Sequence, residues 1–563
     1  MVELLIVVVM GLLVISAAAT LGPRLGFAAP LLLVVVGIGA SLLPFVPEVH
    51  VEPEWILSGV LPPLLYSAAV SMPSMNFRRE FTAISGLSFV LVVVSSLVVG
   101  VVFAWLVPGL GLAWGIALGA IVSPTDAVAT SIVKRAGAPT RVETILQGES
   151  LLNDATALVI LRAAIAGAAA VSVSLWGVLG SFVYSIVVAG IIGFVVGHLN
   201  LLVRARVGEA SVNTAISFTV PFLAAIPAEE LGASGLVAAA VAGLATGHHA
   251  PQFLSAQHRL SDSQNWRTVE LILEGTVFLT MGLELSAIAG DVGTDNRSIG
   301  IAAGLAAVAL LLTILVRAAY VAPLLAGLKL RASRGARLKE GIATIQDRFG
   351  GIDAASKAHG PFWERRMPSA ERVDRFRVRL RRLVADIDYL LAHALGRREG
   401  TITVWAGMRG AITLAAAQTL PEDAPSRSRL ILIAFLVATS SLLLQGGTLA
   451  PLISRLQPAG VDDSVVHDER VRLMSLLEHT AAAVAEERGV DPARVSRGDM
   501  EWAADQGEDQ KRLALDVILA QREALLDARD DGYYSADALN AALAVLDADQ
   551  ISLELKGAPT DRD

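Results

Sequence analysis

The sequence predicts an all-α polytopic membrane protein, and three observations carry that prediction. Of the 563 residues, 54% are hydrophobic and only 17% are charged, more apolar than a soluble chain requires. Apolar runs near the twenty residues that a helix needs to cross a bilayer recur as far as residue 454. These runs are rich in Val, Ala, Leu and Gly, and aromatic residues make up only 5% of the chain, a composition for closely packed helices rather than an outer-membrane barrel. Cysteine is absent, which excludes disulfides and thiolate metal sites.

The apolar runs fall at about 2–20, 28–46, 54–72, 82–107, 111–133, 142–170, 174–203, 211–227, 231–249, 268–289, 298–328, 400–420 and 428–454, which predicts about 13 transmembrane helices. The first carries Glu3 rather than a basic cluster at its start, so it reads as a retained helix and not a cleaved signal peptide. Loop charge then sets orientation, because short cytoplasmic loops collect Lys and Arg. Arg78 and Arg79, then Lys134, Arg135 and Arg141, then Arg204 and Arg206, then Arg259 and Arg267 fall on one side of a 13-span alternation. Glu48 and Glu52, Glu229 and Glu230, and Asp291 and Asp295 fall on the other. This places the N-terminus outside and the C-terminus in the cytoplasm.

The chain divides accordingly into membrane spans over 1–328 and 400–455, an insert over 329–399 and a C-terminal region over 456–563. The insert holds 17 Lys/Arg against 9 Asp/Glu. Within it Arg372, Arg375, Arg379 and Arg382 recur at helical spacing, with Phe376, Leu380 and Leu383 between them, which predicts an amphipathic helix. Two readings stand side by side for it: contact with anionic lipid, or a solvated basic helix. The C-terminal region holds 11 Lys/Arg against 24 Asp/Glu. Helical patterns are predicted at 467–488, 508–530 and 535–556, punctuated by Gly489, by Asp531-Gly532 and by Ser535 as an N-cap.

Function is concentrated between Ala120 and Val159. Asp126, Glu149 and Asp154 lie inside apolar runs, where an acid costs roughly 2.5 to 3.5 kcal/mol on insertion scales and marks a pathway or binding residue by default. Pro124 removes a backbone donor and disfavours helix at Ser123, so the fifth span is predicted to break at Ser123-Pro-Thr-Asp126. A broken helix offers free carbonyls and half-helix termini to an ion. On the next span Ser150 and Asp154 stand four apart, on one face, with Asn153 beside the latter.

Ser123-Pro-Thr-Asp126 followed by Glu149-Ser-Leu-Leu-Asn153-Asp154 resembles the paired ion-site motifs of the monovalent cation:proton antiporters, the branch of the sodium/proton exchangers and their prokaryotic homologues. The resemblance implies two inverted six-helix repeats joined by the seventh span, with two broken, crossing helices. The second break is expected at Gly407-Met-Arg-Gly410 of the twelfth span. It also implies a homodimer in the plasma (inner) membrane, and a transporter rather than an enzyme. The partners are a monovalent cation, a proton and membrane lipid; no cofactor and no nucleic acid is implied.

Within that frame, Asp154 is expected to hold a proton and a cation in alternation, since a carboxylate drawn partly out of water lets the two compete. Ser150 and the Thr125 carbonyl are the expected oxygen ligands for a sodium or potassium ion beside it. Asn153 either orients the broken helix or makes a plain interhelical hydrogen bond. Asp126 either offsets the positive end of the second half-helix or takes part in transport directly. Glu149 needs a partner of its own, and Arg317, the basic residue deep in a later span, either pairs with it or snorkels to an interface; the resemblance likewise implies a Glu–Arg pair between the sixth and eleventh spans. Arg409 is expected to neutralise a carbonyl end within the second break. In LPPLLYSAAV of the third span the residue after the aromatic, often acidic in the family, is Ser67 here; a hydroxyl can ligate but brings no charge. Glu284 is expected at an interface, and the role of Glu274 stays open.

The resulting reading is a secondary antiporter exchanging sodium or lithium for protons, electroneutral at one for one. The nearest alternative keeps the fold and takes potassium. A distant one, an intramembrane aspartyl protease using Asp126 and Asp154, is disfavoured because neither residue follows a glycine.

Overall fold

The structure is a computed structural model and describes residues 2–44, 46, 51–169, 175–291, 296–349, 382–391, 394–458, 463–491, 508–532 and 534–555. Among these the regular structure is entirely helical. The chain forms two compact units, Met1–Leu325 with Gly396–Ala459, and Ala326–Leu395 with Gly460–Asp563.

In the first unit, α1 (Val2–Leu25), α2 (Ala29–Ser41), α3 (Trp55–Ser71) and α4 (Ser74–Leu106) lead to the first interrupted segment, α5 (Gly111–Val122) and α6 (Val128–Arg135). Then come α7 (Thr140–Ala169), α8 (Leu175–Arg204), α9 (Ala210–Glu230), α10 (Gly235–Phe253), α11 (Ala256–Leu283), α12 (Leu285–Asp291) and α13 (Asn296–Phe349). A second interrupted segment, α14 (Arg397–Trp405) and α15 (Ala411–Gln418), precedes α16 (Arg427–Leu456). Eight of the described helices are long and apolar enough to cross a membrane, and Ala29–Ser41, Trp55–Ser71 and Gly111–Val122 are shorter apolar helices.

Burial locates the core. The apolar window of α16 is 72% buried, against 17% for that of α1, so α16 is surrounded while α1 turns most of its surface outward. Against α16 lie α5, buried from Ala117 to Val122, and α15, buried over most of its length. The helices pack through small side chains, as association between apolar helices requires. Turns of π-helix occur at Trp55–Val60 in α3, Gly86–Leu91 in α4 and Leu442–Gly446 in α16, the last beside the second break described below, where Gln445 reaches Trp405 O.

In the second unit, α17 (Asp463–Glu487), α18 (Glu508–Asp531) and α19 (Ala536–Leu555) pack together. Ala481, Ala485, Leu513 and Val517 bury one seam. Arg522 pairs with Asp547 at 2.9 Å and donates to Gln550. Ser535 caps α19, its Oγ accepting from Ala538 N–H at 3.2 Å, and Gly489 and Gly532 end the preceding helices with positive φ. Of the predicted amphipathic helix in the insert, Arg372, Arg375, Phe376, Arg379 and Leu380 lie outside the described residues. Residues 382–391 are helical, and Asp388 there pairs with Lys339.

Candidate functional site

The two interruptions meet. Between α5 and α6 the backbone N–H of Asp126 donates to the carbonyl of Met408 at 2.8 Å, so residues of the two breaks are joined directly by their main chains. Pro124 explains why the first segment stops where it does: a helix cannot continue through Ser123 and Pro124 without losing a donor and crowding the preceding turn. The second break has no proline and depends on Gly407 and Gly410. A Cβ on Gly407 would stand 2.6 Å from Arg317 Cδ, and one on Gly410 would overlap the Asp126 carboxylate.

Several of the carbonyls at the breaks accept side-chain donors. Val122 O accepts from Arg409 Nε at 2.9 Å, Thr125 O from Asn153 Nδ2 at 3.0 Å, Thr403 O from Arg317 Nε at 2.9 Å, and Gly407 O from Arg409 Nη1. Asn153 also donates to Thr125 Oγ1 at 2.8 Å, and that hydroxyl donates to Glu149 Oε1 at 3.0 Å. Glu149 in turn pairs with Arg317, whose Nη1 meets Oε1 and whose Nη2 donates to Oε2 at 2.8 Å. Both are 1% exposed, and a bidentate pair of this kind is the arrangement in which buried opposite charges satisfy each other. Thr125, Glu149, Asn153 and Arg317 therefore form one chain that ties α7 and α13 to both breaks.

Asp154 stays outside that chain. It is 3% exposed, and its Oδ1 has no partner among the described residues. Ser150, one turn earlier, donates to its own helix at Gln147 O (3.0 Å) and keeps its oxygen lone pairs. Asn153 Oδ1 is likewise buried without a partner. Asp126 accepts Val128 N–H at 2.9 Å, at the head of α6, where a negative charge opposes the positive end of the helix. The site thus gathers an open carboxylate and several oxygens with spare acceptor capacity, the donor set for a hard monovalent cation or a proton.

Arg409 is 2% exposed and held through both its guanidinium and its backbone. Its backbone N–H donates to Ser441 Oγ at 2.8 Å, Ser441 donates to Gln445 Oε1 at 2.6 Å, and Gln445 Nε2 reaches Trp405 O at 3.2 Å. Ser441 and Gln445, on either side of the start of the π turn in α16, brace the second break. Sequence reasoning missed both, since a serine and a glutamine in a mostly apolar span carry no charge to mark them.

Other expectations come out differently. Ser67 is not joined to this group; its hydroxyl donates to Glu270 Oε2 at 3.4 Å. Glu284, expected at an interface, is buried, accepting Val51 N–H at 3.0 Å and Gln418 Nε2 at 3.0 Å. The end of an apolar run lies inside the bundle here because α15 and the segment before α3 cover it. Two further buried ion pairs had not been foreseen, Glu80–Arg141 between α4 and α7 (2.6 Å) and Arg204–Asp262 between α8 and α11 (3.0 Å). Their charges sit at run ends, where a basic residue reads as a loop residue.

Comparison with known proteins agrees with this geometry. The family described as "Sodium/hydrogen exchanger, transmembrane" matches residues 10–346. An uncharacterised Na+/H+ exchanger of Mycobacterium tuberculosis is 26% identical over 98% of this chain and 96% of its own length. A sodium, potassium, lithium and rubidium/H+ antiporter of Bacillus subtilis is 30% identical over 48% of this chain and 42% of its own. The solved structure of the sodium proton antiporter MjNhaP1 of Methanocaldococcus jannaschii superposes with a TM-score of 0.54 at 14% identity, covering 80% of this chain and 97% of that one, so the fold is shared. With helices long and apolar enough to span a bilayer, two interrupted segments joined at their breaks, and an antiporter fold, the chain belongs to the sodium/hydrogen exchanger family of integral membrane cation/proton antiporters.

Proposed function

We propose that the chain exchanges sodium, or lithium, for protons, one for one, with Asp154 holding the proton and the cation in alternation. The observation that carries this reading is the contrast of two buried acids five residues apart: Glu149 is neutralised by Arg317, while Asp154 keeps an oxygen without a partner. An acid buried unpaired costs several kcal/mol, on the order of 3 to 5, and exchange is a reason to bear it: the carboxylate is neutral whenever either ion is bound. The Ser150 oxygen and the Thr125 carbonyl are the ligands we assign beside it. Asn153 holds the first break in register, and Arg409 supports the second.

The same reading has about 13 spans in two inverted six-span repeats. The N-terminus is outside, and the 329–399 insert and the 456–563 region are in the cytoplasm, as the loop charges require. It works as a homodimer in the plasma (inner) membrane. Potassium is the second reading. It is favoured by the neutral Ser67 on α3 and by the ion list in the name of the Bacillus subtilis relative.

The test is purified protein in proteoliposomes with an internal pH dye, pulsed in turn with sodium, lithium and potassium. Sodium and lithium are expected to move protons at saturating rates and potassium is not. A response to potassium alone would shift the assignment to the second reading, and no response to any of the three would overturn antiport.

A further inference from the structure

Two hydrogen bonds cross from the second break to the first, and they come from neighbouring residues. Met408 O takes Asp126 N–H at 2.8 Å, and Arg409 Nε donates to Val122 O at 2.9 Å. Residues 408 and 409 thus hold both edges of the gap between α5 and α6. They are held in turn from α16. Ser441 Oγ accepts Arg409 N–H at 2.8 Å, and Gln445 Nε2 donates to Trp405 O at 3.2 Å, one hold on each side of residues 406–408.

The direction of each proton in this chain is determined. A carbonyl only accepts, so the Gln445 amide faces Trp405 O with Nε2 and turns Oε1 to Ser441. Ser441 gives its one proton to Oε1, at 2.6 Å, and so meets Arg409 N–H with a lone pair. Both side chains are fully buried, where a hydroxyl or amide is costly unless hydrogen-bonded, and the partners they find outside α16 are main-chain groups of the second break. Gln445 lies within the π turn that begins directly after Ser441, a local form of helix frequent at functional sites.

We infer that Ser441 and Gln445 are positioning residues for the cation, and that they act by setting the direction of the Thr125 carbonyl; the inference rests on the antiport reading above, in which that carbonyl is a cation ligand. Thr125 C=O and Asp126 N–H belong to one peptide group, which is planar, with the two bonds pointing opposite ways. Holding the N–H on Met408 O therefore holds the carbonyl as well. Its oxygen accepts Asn153 Nδ2 at 3.0 Å and has a second lone pair for an ion. When Ser441 or Gln445 lets residues 405–409 shift, Met408 O moves, the peptide group tilts with it, and Thr125 O leaves its line. None of these bonds involves Asp154. The cation site thus loses a well-aimed ligand while the proton site keeps its geometry, so the role of the pair falls on cation affinity.

The experiment follows proton movement in proteoliposomes of the full chain as a function of sodium concentration at fixed pH, for wild type, Ser441→Ala, Gln445→Met and Thr448→Val. Gln445→Met keeps the length of the side chain and loses both polar atoms. Thr448→Val is the control: it removes the hydroxyl that accepts the Trp405 indole N–H at 2.8 Å, a contact between the same two elements that leaves the main chain of the break alone. In Ser441→Ala and Gln445→Met the sodium concentration for half-maximal rate is expected to rise about tenfold, the low end of what is lost when a group behind a metal ligand is removed, while the rate at saturating sodium stays at that of wild type. Thr448→Val is expected to match wild type in both. If one of the two variants fails to insert, the other reads the same chain from its opposite end. Wild-type sodium affinity in Ser441→Ala and Gln445→Met would overturn the positioning role. So would a fall in the saturating rate alone, which would place the pair in the turnover of the carrier, or an equal loss of affinity in Thr448→Val, which would mark a general disturbance of α16. A wild-type protein that exchanges nothing overturns the antiport reading itself, whereas an active wild type with unaltered variants overturns the positioning role and leaves that reading standing.

Discussion

The two breaks repeat one design with opposite charge. Each interrupts a helix that runs through the core, each leaves carbonyls and amide groups without helical partners, and each carries one ionisable residue. In the first that residue is Asp126, held by the single N–H of Val128. In the second it is Arg409, held at its backbone by Ser441 and at its guanidinium by Val122 O and Gly407 O. A cation fixed by three partners against carbonyl ends is a permanent counter-charge. A carboxylate with one bond, near a second carboxylate with none on Oδ1, can change its occupant. The comparison separates what the breaks share, the crossing geometry, from what they divide between them: fixed charge on one side, exchangeable charge on the other.

The strongest way to break that division is at Asp154. Asp154→Asn removes the proton site and the charge partner of the cation together, and is expected to abolish exchange while the protein still folds and inserts, the amide being as well accommodated as the acid. Dye dequenching at wild-type rates after a sodium pulse would take Asp154 out of the mechanism.

Next in size is the pair that holds the first break to α13. Glu149→Gln or Arg317→Gln alone should each cost about 3 to 5 kcal/mol, because the partner is left charged and buried, and the double variant should recover part of the loss. Thermal shifts in detergent that simply add would show that the contact contributes nothing. Gly410→Ala addresses the crossing itself. The added Cβ would overlap the Asp126 carboxylate, which must then leave Val128 N–H, at a cost of about 1 to 3 kcal/mol of overpacking. An unchanged melting temperature and sodium affinity would show that the breaks do not depend on contact there.

Much of this junction was legible beforehand because charge inside an apolar run is conspicuous. Asp126, Glu149, Asp154, Arg317 and Arg409 each stand out against Val, Leu and Ala, and Pro124 marks the first break by mechanism. What stayed hidden has a physical reason in each case. The bond from Asp126 N–H to Met408 O is main chain to main chain and has no side-chain signature. Ser441 and Gln445 are neutral residues in a span, where a hydroxyl or amide costs little enough to pass unnoticed. Glu270, which takes the Ser67 hydroxyl, lies where α11 changes from polar to apolar, so its charge did not contrast with its surroundings. Glu284 was set at an interface because position in a run does not say what covers it, and Gln418, 134 residues later in the chain, does.

The smallest expected effect is an effect of zero, and it tests the division of labour most finely. If Glu149 is neutralised by Arg317, Arg409 keeps its charge throughout, and Asn153 and Ser67 are neutral, Asp154 is the carboxylate whose occupant differs between the two directions of transport. The loaded carrier then bears the same charge with sodium bound as with a proton bound. Asp126 does not alter the count if it returns to the same state before the carrier turns over. A membrane potential, worth about 2.3 kcal/mol per charge per 100 mV, should therefore neither drive nor oppose exchange. The measurement is a potassium-diffusion potential set with valinomycin across sodium-loaded proteoliposomes, after potassium transport by the protein itself has been checked. A potential that by itself raises or collapses a pH gradient through the protein would mean that a second acid crosses with its proton. Asp126, the acid of the first break, would be the first to examine: in Asp126→Asn the response to potential should then vanish while some exchange persists.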